Sequence, residues 1–416
     1  MKKFVSAVVL TAVILSVLSM SGCDDQKTPE SSVSVSENSV QSSVVVSVPQ
    51  ESSQISWEDS KTAENAITDE QINEMSSSVY NYQYMPQFAS QGSTFSAKSV
   101  ANGKVITLIA DDMNLSYTQL VAEQFKVAAE AAGFSKFIAA KTDGSESSIN
   151  TALNNAVNDK SDIILMFGDI NKDKFSTNIE YAQANGIEVI SVGSVNSGKN
   201  DHFTDYTMPV DYEKIGKYLA DWSIIKTNGK VNALAVNCTD SALSNTIASG
   251  FKEEFEQYIS GVTGYCTGVN ALLEENGDKL TAKIKEALLK DSKLNYIVVF
   301  DDRMIDSALS AVELAGVKIP VISTGGSDEA FNFARYGKIE MLVAQSYEWT
   351  AYGMVDYAMR VLGDVTMPDE QYVPFRILTQ EVISNSIDNF GGLSGNFNRI
   401  CFGSNFEYGY NSLWQV

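Results

Sequence analysis

Short apolar runs alternate with amphipathic stretches along most of the chain after residue 104. The first run, Val105–Ala110, is long enough for one buried strand, and the apolar residues of 117–132 recur with the spacing of a helix that ends at Gly133. The alternation continues almost to residue 345. It predicts strands at 137–140, 162–167, 187–192, 230–236, 262–266, 296–300, 320–323 and 341–344, and helices at 147–157, 175–184, 242–258, 272–289, 304–314 and 329–336.

Strands and helices that alternate in this way form parallel sheets with helices on both faces. The units fall into two similar sets, so the sequence predicts an α/β fold of two Rossmann-like, doubly wound lobes. Ligands bind beyond the carboxyl ends of such strands. Here those ends are short and polar, at 111–114, 168–169, 193–194, 237–240, 301–302 and 325–328. Two lobes that face each other through these loops would enclose a cleft suited to a small ligand and to hinge closure.

The first residues have the layout of a secretory signal peptide. Two lysines precede an apolar run from residue 4 to 18, which is too short for a comfortable membrane-spanning helix. The small residues directly before Cys23 resemble the lipobox of bacterial lipoproteins, although Met20 stands where that motif usually has leucine. The resemblance implies that residues 1–22 are removed and that Cys23 is lipidated, so that the acyl chains alone reach the membrane. An ordinary cleaved signal with an incidental cysteine, or an uncleaved anchor, is the alternative.

A serine-rich stretch follows the predicted lipid site. Residues 24–60 contain twelve serines and no aromatic residue before Trp57, so they bury too little apolar surface to offset the entropy of ordering. We therefore predict a flexible linker over 23–100. A strand at 31–48 is the weaker alternative, because it would have no sheet to join. Whether the aromatic residues between 80 and 88 pack on the folded body or belong to the linker stays open.

Charge and composition narrow the function. The net charge is −22 and the pI about 4.4, so the surface would repel nucleic acid and anionic lipid headgroups, and no nucleic-acid partner is expected. His202 is the only histidine, which argues against His-dependent triads and multi-histidine metal sites. GxSxG, P-loop and CxxC patterns are absent. We therefore expect neither an enzyme, nor a metal site, nor a cofactor.

Cys238 and Cys266 both fall near the ends of neighbouring predicted strands. A disulfide between them is plausible outside the cell, and two buried free thiols are the alternative. Cys401 has no evident partner.

Several longer segments keep a distinctive order. They are KVITLIADDMNLSYTQLVAEQF (104–125), ANGIEVISVGS (184–194), MPVDYEKIGKYLADW (208–222), YIVVFDDRMIDSALSAVELAG (296–316) and LVAQSYEWTAYGMVDYAMRVLGD (342–364). From about Val105 to Thr379 the chain resembles the type I periplasmic binding proteins, in the sugar-binding branch related to ribose-binding protein. The resemblance implies a three-strand hinge between lobe one (101–210 plus 346–375) and lobe two (211–345 plus 376–416, with a C-terminal extension).

The same resemblance implies ligand contacts in lobe one. Tyr117 would stack on a sugar ring while Asn114 and Asp112 bond its hydroxyls. Packing within its own lobe is the alternative for Tyr117, and capping a helix is the alternative for Asp112. Asp169 and Ser194, at the ends of the third and fourth strands, complete the candidates from this lobe.

In lobe two the resemblance points to Asp301, whose carboxylate would accept two hydroxyls. The alternative is a solvated loop acid. Gln345 matches a glutamine of the family at the pocket edge, and Asn245 is the nearest polar match to a family arginine. Trp349 would wall the cleft, with core packing as its alternative.

The chain departs from the family at two strand ends. Gly193 and Ser194 stand where sugar binders often carry Asp-Arg, and Gly325 stands where an aspartate commonly reaches the ligand. Asp302 and Arg303 are expected to be structural. Fewer charged anchors suggest a different ligand or a rebuilt pocket.

The resemblance implies the substrate-binding lipoprotein of an ABC importer. It would bind a small polar ligand, by default a sugar, and would dock as a monomer on membrane permease subunits. Its expected place is the outer face of a cell membrane, more in keeping with a Gram-positive surface than with a Gram-negative periplasm. The alternatives are a sensor that presents its ligand to a chemotaxis or two-component receptor, and a binder of another solute such as a nucleoside.

Overall fold

The computed structural model describes residues 55–57, 63–89, 92–194, 206–367, 373–390 and 396–416. The predicted signal peptide, the predicted lipid site Cys23, most of the serine-rich stretch and His202 lie outside these residues. No helix among the described residues is long and apolar enough to cross a membrane.

Two helices precede the first sheet, α1 (Asp69–Asn81) and α2 (Ala97–Ala101). A capping box begins α1: the Thr68 hydroxyl accepts a hydrogen bond from the Gln71 backbone N–H, and the Gln71 side chain accepts one from the Thr68 N–H. This arrangement satisfies backbone donors that a helix start leaves free.

The first lobe is built on a five-stranded parallel sheet of order β2-β1-β3-β4-β5. Its strands are β1 (Val105–Ala110), β2 (Lys136–Ala139), β3 (Ile163–Phe167), β4 (Glu188–Ser194) and β5 (Tyr206–Pro209). One face packs on α3 (Ser116–Ala132), and the other on α4 (Glu146–Asn158) and α5 (Ser176–Ala184). The order reverses between β1 and β3, so the loops that follow them diverge and leave a crevice at their carboxyl ends.

The second lobe is built on a six-stranded sheet of order β11-β10-β9-β8-β6-β7, in which only β11 is antiparallel to its neighbour. The parallel strands are β6 (Asn232–Cys238), β7 (Tyr265–Ala271), β8 (Tyr296–Val299), β9 (Val321–Gly325) and β10 (Met341–Gln345). Its helices are α6 (Tyr212–Thr227) and α7 (Ala242–Tyr258) on one face, and α8 (Asp278–Lys290), α9 (Ile305–Ala315) and α10 (Asp328–Arg335) on the other. The predicted fold class, α/β with two doubly wound lobes, is confirmed.

The chain passes between the lobes after β5, and again after β10. Helix α11 (Tyr347–Leu362) packs on α3 of the first lobe, and β11 (Phe375–Leu378) then joins the sheet of the second lobe. These passages place the carboxyl ends of both sheets opposite each other.

The residues after Leu378, here called the tail, form α12 (Gln380–Phe390), α13 (Phe397–Phe402) and α14 (Asn405–Trp414). The first two pack on the second lobe, where the Phe397 ring stacks on Phe331 at 5.7 Å. Helix α14 instead packs on α11 and α3 of the first lobe. Assigning all of 376–416 to lobe two is therefore wrong for α14, whose apolar side chains find their partners only across the hinge.

The described residues between 55 and 101, here called the strap, also contact both lobes. On the second lobe, the Tyr82 ring lies 4.5 Å from that of Tyr218, and the Tyr82 carbonyl accepts the Ile377 N–H at 2.8 Å. On the first, Phe88 stacks on Trp349 at 6.2 Å, and α2 packs on α3 and α11. A flexible linker up to residue 100 is therefore wrong for the described part of the strap, because Trp57, Tyr82 and Phe88 pack on side chains of the two lobes.

Two predicted elements lie elsewhere than expected. The strand predicted at 262–266 begins at Tyr265, because Val262 is 96% exposed in a turn. The helix predicted from residue 272 begins at Asp278, after a short 3-10 turn.

Cys238, Cys266 and Cys401 are buried free thiols, so the disulfide alternative is wrong. In the pairing of β6 with β7, Cys266 lies opposite Ala233 and Cys238 opposite Ala271, five positions further along the strand. At about 3.3 Å per residue that is about 16 Å, whereas a disulfide needs Cα atoms within about 7 Å. The two thiols also belong to clusters on opposite faces of the sheet.

Helices α6 and α7 approach each other unusually closely at two glycines. A Cβ on Gly216 would lie 2.0 Å from the Ile247 carbonyl oxygen, and one on Gly250 would lie 2.1 Å from that of Glu213. This close contact buries Asp221 of α6 beside Glu254 of α7. Burial, with the charge of Glu254, raises the pKa of Asp221 to about 8.

We expect Asp221→Asn to remove a pH dependence of stability. The pKa of an unfolded aspartate is about 3.9, so between about pH 4 and 8 the folded state binds more protons than the unfolded state. The free energy of unfolding therefore falls as pH rises through this window. Asparagine does not titrate. The melting temperature of the variant minus that of the parent protein should therefore be higher at about pH 8 than at about pH 5. An exposed control, Glu180→Gln, should leave the pH profile of the melting temperature unchanged. If Asp221→Asn also kept the pH profile of the parent protein, the raised pKa of Asp221 would be contradicted.

Candidate functional site

A cavity of about 100 Å³ lies between the carboxyl ends of the two sheets. Free space of this size is well below the roughly 300–1,000 Å³ of typical ligand pockets, so the lobes are close together around it. The lining comes from both lobes and from the segments between them. It consists of Asp111, Tyr117, Phe167, Gly168, Asp169, Tyr212, Ile215, Ser241, Leu243, Ser244, Ile247, Phe300, Asp301, Asp302, Arg303, Thr324, Gly325, Gln345 and Tyr347.

Aromatic rings form much of the wall. Tyr117, at the start of α3, stacks on Tyr347, at the start of α11, with centroids 5.3 Å apart and planes at 30°. Its edge meets Phe167 at the end of β3. Burial raises the pKa of Tyr117 and of Tyr347 well above the usual value, so both hydroxyls stay protonated and can donate hydrogen bonds.

Asp111 directly follows β1 and organises the first lobe's side of the cavity. Its carboxylate accepts hydrogen bonds from the Tyr117 hydroxyl at 2.8 Å and from the backbone N–H groups of Asp112 at 2.9 Å and Asp169 at 3.1 Å. Gly168 has φ +96°, and a Cβ there would lie 2.5 Å from the Asp111 carboxyl carbon. A glycine is therefore required for the carboxylate to reach this position.

Asp301 and Arg303 form a two-pronged ion pair after β8. The guanidinium donates from Nε at 2.8 Å and from Nη2 at 2.5 Å, and the Arg303 backbone N–H donates to the same carboxylate at 3.1 Å. Two parallel charged hydrogen bonds fix both side chains in one geometry. The Arg303 guanidinium is thereby fixed by the Asp301 carboxylate of the same protein.

Asp302 is the half-buried neighbour of this pair. Its carboxylate accepts the N–H groups of Gly326 at 3.3 Å and Ser327 at 3.2 Å. A Cβ on Gly325, which has φ +141°, would lie 2.2 Å from the Asp302 carboxylate. The carboxyl group of Asp302 thus occupies the space that a side chain at 325 would take, which explains the glycine there. Burial, with the charge of Asp301, raises the pKa of Asp302.

Asp169 joins the two lobes across the cavity. It follows β3 of the first lobe, and its Oδ1 accepts the backbone N–H of Ala242 at 3.1 Å, at the start of α7 in the second. The partial positive charge of a helix start favours a carboxylate there. Burial raises the pKa of Asp169, although hydrogen bonds from Ser241 and Ala242 oppose the shift.

Of the residues proposed from the sequence, the fold brings Tyr117, Asp169, Asp301 and Gln345 to the cavity lining. Gln345 donates from Nε2 to the Thr350 hydroxyl at 3.2 Å, which orients its amide at the end of β10.

Four other proposed residues, Asp112, Asn114, Asn245 and Trp349, are not among the described residues that line the cavity. The Asp112 carboxylate accepts the backbone and side-chain N–H groups of the exposed Asn114 at 2.8 and 2.9 Å. Asn245 donates to the Thr239 carbonyl and accepts from Asn237, within lobe two. Trp349 stacks on Phe406 at 5.0 Å in the core, its alternative role. Ser194 ends β4, and its side chain lies outside the described structure.

Sequence reasoning missed Asp111, Tyr212, Phe300 and Tyr347, and it took Asp302 and Arg303 for purely structural residues. Asp111 stands next to the chosen Asp112, and Tyr347 two residues before Trp349. For Asp111 the strand end was predicted correctly and the residue that faces the cavity was not, whereas no helix start was predicted at Tyr347. Because β1 is apolar on both faces, its sequence has no polar–apolar alternation that could have identified Asp111 as the residue facing the cavity.

Nothing in this lining indicates a metal site. Within the described ranges, no group of three or more His, Cys, Asp or Glu side chains is arranged to bind a metal ion.

The model of the periplasmic binding protein domain family matches residues 106–364. No curated protein matches the sequence. Among solved structures, a glucose-galactose binding protein from Geobacillus stearothermophilus superimposes with a TM-score of 0.58 at 16% identity, over 67% of this chain and 98% of its own.

Two further solved structures hold a bound polyol. A solute-binding protein from Agrobacterium vitis with bound allitol gives a TM-score of 0.59 at 16% identity, over 70% of this chain and 99% of its own. A carbohydrate transporter from Acidothermus cellulolyticus 11B in complex with myo-inositol gives 0.55 at 15% identity, over 69% and 97%. At such identities the likeness establishes a shared fold.

Proposed function

This chain belongs to the family of periplasmic binding proteins, and we propose that it is the extracytoplasmic substrate-binding lipoprotein of an ABC importer, with a sugar as its ligand. It is a binding protein and not an enzyme. The observation that carries the proposal is the interlobe cavity, where stacked tyrosines lie beside several carboxylates. Aromatic faces pack on the apolar face of a sugar ring, and carboxylates accept its hydroxyls.

Closure of the lobes on the ligand is part of the proposal. The bond from the Ala242 N–H to Asp169 supports it, because it joins the lobes at the cavity rim.

A thermal-shift panel of pentoses, hexoses, polyols and nucleosides tests the ligand class. A ligand at about 100 times its Kd should stabilise the protein by about 2.7 kcal/mol. Small-angle scattering should then give a smaller radius of gyration with the ligand at saturation; no shift with any sugar, or an unchanged radius, would contradict the proposal.

We expect Tyr347→Ala to weaken sugar binding about tenfold, the effect of losing one stacked ring and its hydroxyl from the wall. Tyr336→Ala removes a tyrosine that is largely exposed on the second lobe and should leave affinity unchanged. Isothermal titration calorimetry on both variants measures the difference. Equal affinities for Tyr347→Ala and the parent protein would place the ligand away from this wall.

The lipid anchor is proposed from the sequence motif around Cys23. Cells that express Cys23→Ser should release the protein from the membrane fraction, because serine lacks the thiol that would carry the acyl chains. We propose a monomer on a Gram-positive surface that docks on permease subunits. Loss of sugar uptake on gene deletion supports an importer; unchanged uptake with a lost response to the sugar would instead indicate a sensor.

A further inference from the structure

The cavity has an excess of negative charge. Four carboxylates line it, those of Asp111, Asp169, Asp301 and Asp302, whereas Arg303 is the only cationic residue of the described lining. Arg303 is already paired with Asp301 through both prongs of its guanidinium. The one positive charge is thus engaged by Asp301, and the described lining offers no second cation to the other three carboxylates.

Among the described residues, the hydrogen-bond donors to those three carboxylates are neutral groups. Asp111 accepts from a tyrosine hydroxyl and backbone N–H groups, Asp302 from the N–H groups of Gly326 and Ser327, and Asp169 from that of Ala242. Removing carboxylates from water without a counter-charge is costly. In agreement, burial raises the pKa of both Asp169 and Asp302.

A ligand with a positive charge would supply what the lining lacks. The stacked rings of Tyr117 and Tyr347 would favour it further, because an ammonium group is attracted to aromatic faces. An anionic ligand would meet three carboxylates and a guanidinium that is already engaged. A neutral polyol would gain hydrogen bonds without balancing any charge.

From this charge pattern we infer that the ligand is a hydroxylated amine, such as an amino sugar, whose ammonium group lies among these carboxylates. The inference rests on the proposed function and narrows its ligand class. The site selects amino-bearing sugars over their neutral parents, and both over sugar acids.

The test uses three matched hexoses, D-glucose, D-glucosamine and D-glucuronate, and the corresponding galactose series. Titration calorimetry on the full chain at about pH 6, where the amine is protonated, gives the three affinities. We expect the amino sugar to bind at least tenfold more tightly than the neutral parent, and the acid to bind most weakly. A neutral sugar that binds as tightly as its amine would overturn this inference and leave the proposed function intact. Absence of binding by every sugar, amino sugar and polyol would overturn both.

Asp169→Asn gives a second readout. The amide oxygen can still accept the Ala242 N–H, so the contact between the lobes is kept while one negative charge is removed. The ratio of amine to neutral-sugar affinity should fall at least threefold in this variant. Glu180→Gln, exposed on α5 of the same lobe, makes the same change in net charge and should leave the ratio unchanged. An unaltered ratio in Asp169→Asn would count against the placement of the ammonium group.

Discussion

Asp356→Ala is expected to lower the free energy of unfolding by about 3–5 kcal/mol. Asp356 and Arg360, one turn apart on α11, are both 0% exposed, and the Arg360 Nε donates to the Asp356 carboxylate at 2.8 Å. The other carboxylate oxygen accepts the Trp414 indole N–H, also at 2.8 Å, which ties the tail to the first lobe. Removal of the carboxylate takes away the acceptor of the buried Arg360 Nε and of the Trp414 indole N–H.

Urea unfolding followed by circular dichroism measures this loss. The matched control is Lys126→Ala, which breaks a pair of the same spacing on α3 between Lys126 and Glu130, where both side chains are largely exposed. Such exposed pairs contribute about 0.5 kcal/mol or less. If Asp356→Ala cost no more than this control, the buried pair would not hold the tail in place.

Trp57→Ala should destabilise the fold by a comparable amount, about 3–5 kcal/mol, and should also weaken ligand binding. Trp57 is 6% exposed and stacks on Phe300 at 5.9 Å with planes at 9°. Gly268 of β7 makes the space for it, since a Cβ there would lie 2.0 Å from the indole. Because Phe300 lines the cavity, loss of the indole removes the support behind one wall of the ligand site.

The same urea titration, together with calorimetry on the preferred sugar, tests both parts of this expectation. Tyr84→Ala provides the control, because Tyr84 lies in the same strap and is 75% exposed. That variant should change neither the free energy of unfolding nor that of sugar binding by more than about 0.5 kcal/mol. If Trp57→Ala had the same urea midpoint of unfolding as the parent protein, a structural role for the strap would be contradicted.

These two residues show how the segments at either end of the folded body are held. The strap and the tail each contact both lobes, in addition to the passages between the two sheets. The surface area that such a segment buries depends on the relative position of the two lobes. The proposed closure of the lobes would therefore have to move or deform these contacts as well.

Local pattern was sufficient for the regular elements of the sheets. Runs such as 105–110 and 163–167 are apolar throughout because both faces of a parallel sheet are covered, and that property is written into consecutive residues. Helix 242–258 was predicted with its observed ends, since a serine cap and an apolar stripe are both local features. The family resemblance followed from the order of such elements.

The residues that face the ligand site depended on finer geometry. The choice between Asp111 and Asp112 depends on which way the last residues of β1 point, and the choice between Tyr347 and Trp349 depends on where α11 begins. An error of one or two residues turns a side chain from the cavity to the core or to solvent. The Asp302 carboxyl group can occupy the space of a side chain at position 325 only because the ends of two separate strands lie side by side.

The sequence alone determined two doubly wound lobes, their family and the loops where a ligand should lie, because strand and helix periodicity acts between neighbours in the chain. Tertiary structure decided the separation of Cys238 from Cys266, the packing of the strap and the return of α14 to the first lobe. It also decided the balance of charge in the cavity. Each of these depends on contacts between segments far apart in the sequence, whose register and distance no local pattern specifies.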